Sequence, residues 1–138
     1  MPAKDIYHDS VKRALIKDGG AITHDPLRIQ WGPKDMYIDL GAEQMVAAEK
    51  GGRKIAVEIK SFIGPSEIED LKNALGQFIL YRTVMLNTEP DRELYLAIRQ
   101  VTFLELFEEP IGKLLIESEH IKLIVFNPLA EEIITWIP

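Results

Sequence analysis

Between Met36 and Lys60 two strand-forming runs flank Lys50-Gly51-Gly52-Arg53, and no other part of the chain restricts its fold as strongly. A glycine pair accepts the positive φ angles of a tight turn, so the segment reads as a β-hairpin. The first arm runs from Met36 to Leu40, is interrupted at Gly41 and resumes from Gln44 to Glu49; the returning arm is Lys54 to Lys60. Along the returning arm Ile55, Val57 and Ile59 take one face, while Glu58 and Lys60 share the other. Ionisable groups at the end of an otherwise apolar strand require water, each other or a ligand.

The flanking segments extend this hairpin into an α/β order. Asp5 to Asp18 reads as a helix with Tyr7, Val11, Ala14 and Leu15 on one stripe, stopped by Gly19-Gly20. Thr23-His24-Asp25-Pro26 is turn chemistry before Leu27 to Trp31, which is a first strand or a packed loop. A second helix is expected to begin at Gly64-Pro65-Ser66-Glu67 and run to about Leu86, with Ser66 and Glu69 at capping-box spacing. A strand over Glu93 to Ile98, short helices over Thr102 to Phe107 and Pro110 to Ser118, and strands over Ile121 to Phe126 and Ile133 to Ile137 complete one mixed sheet. At 138 residues, with neither repeat nor linker, a single domain spanning 1–138 is expected.

Charge and cysteine content narrow the chemistry. The absence of cysteine excludes disulfides, thiolate zinc sites and cysteine nucleophiles, but leaves carboxylate and histidine metal sites open. With no apolar run long enough to span a bilayer and no signal-peptide core, a cytoplasmic location without membrane contact is the default expectation. A net charge of −6 argues against coating nucleic acid through bulk positive charge. Residues 1–60 hold ten Lys or Arg against nine Asp or Glu, and residues 61–138 hold six against thirteen, so a polyanion is expected to approach the N-terminal half.

If Gly51 and Gly52 are the central turn residues, Glu58 faces Met45 and Lys60 faces Glu43, gathering Glu43, Glu58 and Lys60 at strand spacings of about 5 Å. Asp39 has the same parity, and a bulge at Gly41 would bring it nearer; Asp39 and Glu43 both stay open as the first acid, the simple ladder favouring Glu43. Paired carboxylates can hold Mg2+ or Mn2+ for phosphodiester hydrolysis, with Lys60 balancing charge on the transition state. The alternative is a structural ion network on a solvated sheet face. Gln77 and Tyr81, one turn apart on the second helix, are placed to touch substrate or lysine. His8 either assists a metal or phosphate site or is a structural histidine; His24 reads as a turn residue, and His120 is remote.

Asp39, Glu43, then Glu58-Ile59-Lys60, then Gln77 to Tyr81 resemble the PD-(D/E)XK nuclease superfamily. That resemblance implies a restriction-endonuclease-like core, a central mixed β-sheet flanked by helices, with Asp39, Glu43 and Glu58 as metal ligands and Lys60 as a catalytic residue. The chain departs from the pattern in two places: no proline precedes the acid in IDLGAE, and the first helix offers His8 where many members carry an acid. A closer resemblance spans the chain. MPAKDIYHDSVKRALIKDGG, ITHDPL, YIDLGAEQMVAAEKGGRKIAVEIKSF, EIEDLKNALGQFILYR, EPDRELYLAI and KLIVFNP are similar to the cyanobacterial XisH family of fdxN-element excision controlling factors.

The second resemblance implies a role in programmed DNA-element excision during heterocyst differentiation, alongside an XisI-like small protein and a site-specific recombinase. Two functions follow as expectations: a Mg2+-dependent DNA endonuclease or DNA-binding factor assisting recombination, or a catalytically inactive regulatory subunit acting through a protein partner. Two active sites for two DNA strands make a homodimer a further expectation.

Overall fold

The structure, a computed structural model, describes residues 5–45 and 52–138. Six strands form one mixed sheet in the order β1 (Gly20–His24), β4 (Leu40–Met45), β5 (Gly52–Ile59), β6 (Glu93–Arg99), β7 (Leu123–Asn127), β8 (Glu132–Ile137). The β5, β6 and β7 strands run parallel, whereas β1, β4 and β5, and β7 and β8, pair antiparallel. A separate ribbon pairs β2 (Leu27–Trp31) with β3 (Lys34–Ile38). The α/β architecture with a central mixed sheet flanked by helices is as expected.

Side-chain alternation on β5 divides the interior. Ile55, Val57 and Ile59 pack with Val11 and Leu15 of α1 (His8–Lys17), and with Tyr95, Ile124 and Phe126. On the opposite face Ala56 joins Leu71, Ala74 and Phe78 of α2 (Glu67–Thr88), together with Leu27 and Ile29 of the ribbon. Gly19 ends α1 at a φ of 91°, a conformation glycine adopts without penalty. Ser66 caps α2 by accepting the Glu69 N–H at 3.2 Å, but the Glu69 carboxylate pairs with Lys72 instead of closing the box.

A short helix α3 (Gln100–Thr102) continues into a π-helical turn (Phe103–Phe107) before α4 (Pro110–Glu119). Buried Gly112 of α4 lets the two segments meet, because a methyl there would collide with the Leu106 carbonyl oxygen and the Phe107 Cα. Both neighbours are backbone and cannot swing aside. Gly112→Ala is therefore expected to cost about 1–3 kcal/mol, the range for overpacking, as read by urea unfolding.

Three expectations are corrected. The strand break falls at Asp39 rather than Gly41: residues up to Ile38 pair with β2, and from Leu40 onward the chain enters the main sheet. Gly20–His24, taken as a helix stop and a turn, forms the edge strand β1 against β4. In β5, Gly52 already pairs with Met45, so it is not a central turn residue; Leu40 opposes Val57 and Glu43 opposes Lys54. Glu58 therefore does not face Met45, nor Lys60 Glu43. Residues 46–51, including the expected continuation of the first arm to Glu49, lie outside the described residues.

Candidate active site

The register that separates Glu43 from Lys60 brings Asp39 to Glu58. One step beyond the Leu40–Val57 pair, the Asp39 N–H donates to Glu58 Oε1 at 3.3 Å and the Ile59 N–H donates to Asp39 Oδ2 at 2.7 Å. Asp39 sits at the bend where the chain leaves the ribbon, and Glu58 projects from β5 toward the α2 side, only 5% exposed. Glu43 lies four strand positions, about 13 Å, from Glu58; its Oε1 accepts the Gly52 N–H at 3.1 Å.

Two carboxyls this close and this buried do not both ionise. Burial pushes Glu58 up to about 9, reinforced by the charge of Asp39 and a side-chain hydrogen bond with it, and opposed by the Lys60 ammonium. Asp39 is also raised, burial outweighing the Ile59 N–H, the hydrogen bond with Glu58 and the field of His8. Glu58 thus retains its proton at neutral pH.

Around the pair the helices contribute unequal groups. Tyr81 of α2 is half-buried, and its phenol is raised by burial and then by the fields of Glu58 and Asp39. One turn earlier, Gln77 Oε1 is buried with no hydrogen-bond partner among the described residues. His8 is buried in α1 and bonds Asp25 Oδ1 through Nε2 at 2.7 Å, while Lys12 holds Asp25 Oδ2 at 2.9 Å. Burial raises Asp25, but the bonds from Lys12 and His8 outweigh it and leave its carboxyl below the ordinary value. His8 therefore bonds the turn before β2, and its effect on Asp39 is through space. His24 bonds Thr23 at 2.9 Å, and His120 caps α4.

Lys60, partly exposed, lines a cleft of about 180 Å³ with Asp5, Ser61, Phe62, Ile63, Gly64, Asp70 and Asn73. Phe62 takes the left-handed region at a φ of 52°, an uncommon backbone for an aromatic residue and a strained feature two residues from the lysine. Two neighbours were not singled out in the sequence. Asp5, whose charge raises Asp39, lines the Lys60 cleft, and Arg99 at the end of β6 donates to the Ser61 carbonyl at 2.9 Å and stacks over Tyr7. Asp5 carried a signal as the first residue of the expected helix; Arg99 carried none, because its proximity follows from the parallel β5–β6 pairing.

Asp39 and Glu58 have the chemistry of a divalent-cation site. Their hard oxygens are held near each other by the two backbone N–H bonds, and Glu58 keeps a proton that a cation would replace. No trio of His, Asp or Glu side chains suited to a metal occurs among the described residues. Water and substrate oxygens would fill the remaining positions, as is usual for Mg2+.

Comparisons with known proteins agree with one another. The family model described as XisH protein matches residues 1–134. The crystal structure of an XisH family protein from Nostoc punctiforme PCC 73102 superposes with a TM-score of 0.88 at 38% identity, covering 97% of this chain and 100% of the other. That of an fdxN element excision controlling factor protein from Anabaena variabilis superposes with a TM-score of 0.87 at 40% identity, covering 98% and 100%. No curated protein sequence matches the chain.

Proposed function

Because the chain belongs to the XisH family, we propose that it is an excision controlling factor that acts on DNA through a restriction-endonuclease-like site at Asp39, Glu58 and Lys60. The observation that carries this reading is the contact between Asp39 and Glu58 across β4 and β5, with Lys60 two residues beyond. The spacing Asp39…Glu58-Ile59-Lys60 is that of the PD-(D/E)XK motif, and Asp39 rather than Glu43 is its first acid.

A Mg2+ or Mn2+ ion held by Asp39 and Glu58 would supply Lewis-acid polarisation of a phosphodiester and a water of lowered pKa. The chain's own residues do the rest. Lys60 presents positive charge to the phosphate and offsets the carboxylates, so that an anionic substrate can approach. Tyr81 on α2 stands within the field of both acids, and Gln77 offers a buried carbonyl oxygen one turn away. An XisI-like small protein and a site-specific recombinase belong to this reading as partners. A net charge of −6 favours a second one, in which the chain is a catalytically inactive regulatory subunit held at DNA by such a partner.

Calorimetric titration of Mg2+ and Mn2+ into metal-free protein, wild type against Glu58→Ala, tests the first reading. Binding that disappears in the variant, followed by metal-dependent cleavage of DNA by wild type alone, is the expected result. Cation binding unchanged in Glu58→Ala would remove the acid pair from the proposal. A folded complex with an XisI-like protein, unaffected by Glu58→Ala and without cleavage, would favour the regulatory reading.

A further inference from the structure

A cavity of about 260 Å³ lies between the C-terminal half of α2, the start of β6 and the turn after α4, away from the candidate acids. Its lining shares no residue with the Lys60 cleft. Arg92 on its wall donates to the Ile55 carbonyl at 2.8 Å, three residues and about 10 Å before Glu58 along β5. Phe78, Met85, Leu86, Pro90 and Leu94 give the hollow an apolar wall, while Arg82, Arg92, His120 and Lys122 reach it from three separate segments. The volume is close to the lower end of small-molecule sites, about 300 Å³, and an apolar wall with a few converging polar groups is what such sites share.

The cations here outnumber what the fold provides to balance them. The Arg92 side chain is 5% exposed, and the carboxylate beside it is Glu89, met by Nε at a long 3.4 Å. Arg82 lies over the Phe78 ring at 5.2 Å and donates to the Glu119 carbonyl through one of its five N–H groups, with no carboxylate paired to it among the described residues. That carbonyl fixes the side chain without cancelling its charge. Lys122 pairs with Glu93 Oε2 at 2.7 Å, but the same oxygen also takes Arg53 at 3.0 Å. Burial raises the Glu93 carboxyl, and the bonds from Lys122 and Arg53 outweigh it, so Glu93 is ionised at neutral pH. Four cations thus meet two acids. The C-terminal ends of α2 and α4 offset about half a charge each, which leaves roughly one positive charge beside an apolar hollow. His120, exposed at the rim with a φ of 52°, adds a ring that makes no hydrogen bond among the described residues.

We propose that this cavity binds a small organic monoanion, a carboxylate carried on an apolar or aromatic body, with Arg82, Arg92 and Lys122 meeting the charge and Phe78, Met85 and Leu94 seating the body. A dianion would exceed the one charge left to balance, and an inorganic anion would leave the apolar wall facing water. The site uses neither the acid pair nor Lys60, so it stands or falls independently of the nuclease reading.

Phenylpropionate is the probe, titrated into protein isotope-labelled at its methionine methyl groups and followed by NMR, with the Met85 signal assigned through Met85→Leu. The Met85 methyl is expected to shift saturably, with a Kd in the millimolar range suited to so small a ligand. Met36, which does not line the cavity, is expected to stay in place. Phenylpropanol, the neutral isostere, and inorganic phosphate are each expected to bind about tenfold weaker or worse, the first lacking the charge-assisted bonds and the second the apolar contact. Arg82→Gln is expected to weaken phenylpropionate roughly tenfold with unchanged circular dichroism. Lys122→Gln, which leaves the Arg82 tether to Glu119 intact, is expected to weaken it in the same direction. Phenylpropanol binding as tightly as phenylpropionate would overturn recognition of an anion, and phosphate doing so would overturn the apolar body. A Met85 methyl unmoved by all three would overturn the site itself.

Discussion

Glu58→Gln is expected to stabilise the metal-free protein at pH 7, on the order of 3 kcal/mol, although it removes an acid from the candidate site. In the unfolded chain Glu58 loses its proton near its ordinary value of 4.5, whereas in the native state the proton stays until about pH 9. Between those values the folded protein binds the extra proton, so stability falls as pH rises, by up to about 1.4 kcal/mol per pH unit, and levels off above the upper value. This is the reverse of an ion-paired carboxylate. Asp39, also raised, adds to the same slope. Glutamine keeps the shape of the protonated acid and can accept the Asp39 N–H, yet has no proton to lose.

Thermal melts from pH 5 to pH 9 in chelator are expected to show wild type losing several degrees that the variant retains. Added Mg2+ is expected to raise the wild-type melting temperature more at pH 8 than at pH 5, because the cation competes with the Glu58 proton. Parallel melting curves for the two proteins would show that Glu58 does not keep its proton on folding.

Lys60→Met is expected to act in the opposite sense, with little effect on folding and a large one on function. The side chain is partly exposed, and its ammonium makes no hydrogen bond or ion pair among the described residues, so its removal leaves the interior intact. Its field lowers Glu58 and repels a cation at the same oxygens, so without it the acid holds both a proton and a divalent ion more tightly. In a metal-dependent cleavage assay the rate is expected to fall roughly 10²- to 10³-fold, the usual cost of losing one transition-state charge contact. Calorimetry on the same variant is expected to give tighter Mg2+ binding than wild type, because a repelling positive charge is gone. An unchanged rate together with unchanged cation affinity would exclude Lys60 from the site.

What could be read from the chain before folding was local. The alternation of Ile55, Val57 and Ile59 against Glu58 and Lys60 survives intact, because period-two patterning is a property of the strand itself. The cap at Ser66 and the extent of α2 are likewise written in neighbouring residues. Register was not, since it depends on where the turn falls, and the glycine pair suggested a turn centred on Gly51-Gly52, whereas Gly52 already pairs with Met45. That one difference put Asp39, rather than Met45, beside Glu58 and took Glu43 away from Lys60. The edge strand Gly20–His24 was hidden for a related reason: Gly-Ala-Ile-Thr-His has weak strand character, and its pairing to β4 is imposed by tertiary context.

The reciprocal bonds between Asp39 and the Glu58–Ile59 segment also bear on how such chains diverge. Each acid holds the backbone near the other, so both fasten the open ends of β4 and β5 whether or not DNA is cut. A lineage that abandoned cleavage would still lose strand-end anchoring by replacing either side chain with one that cannot accept these N–H groups, whereas nothing comparable restrains position 60. On the nuclease reading, drift at the lysine while acceptor side chains persist at positions 39 and 58 is therefore the signature expected of chains that no longer cut.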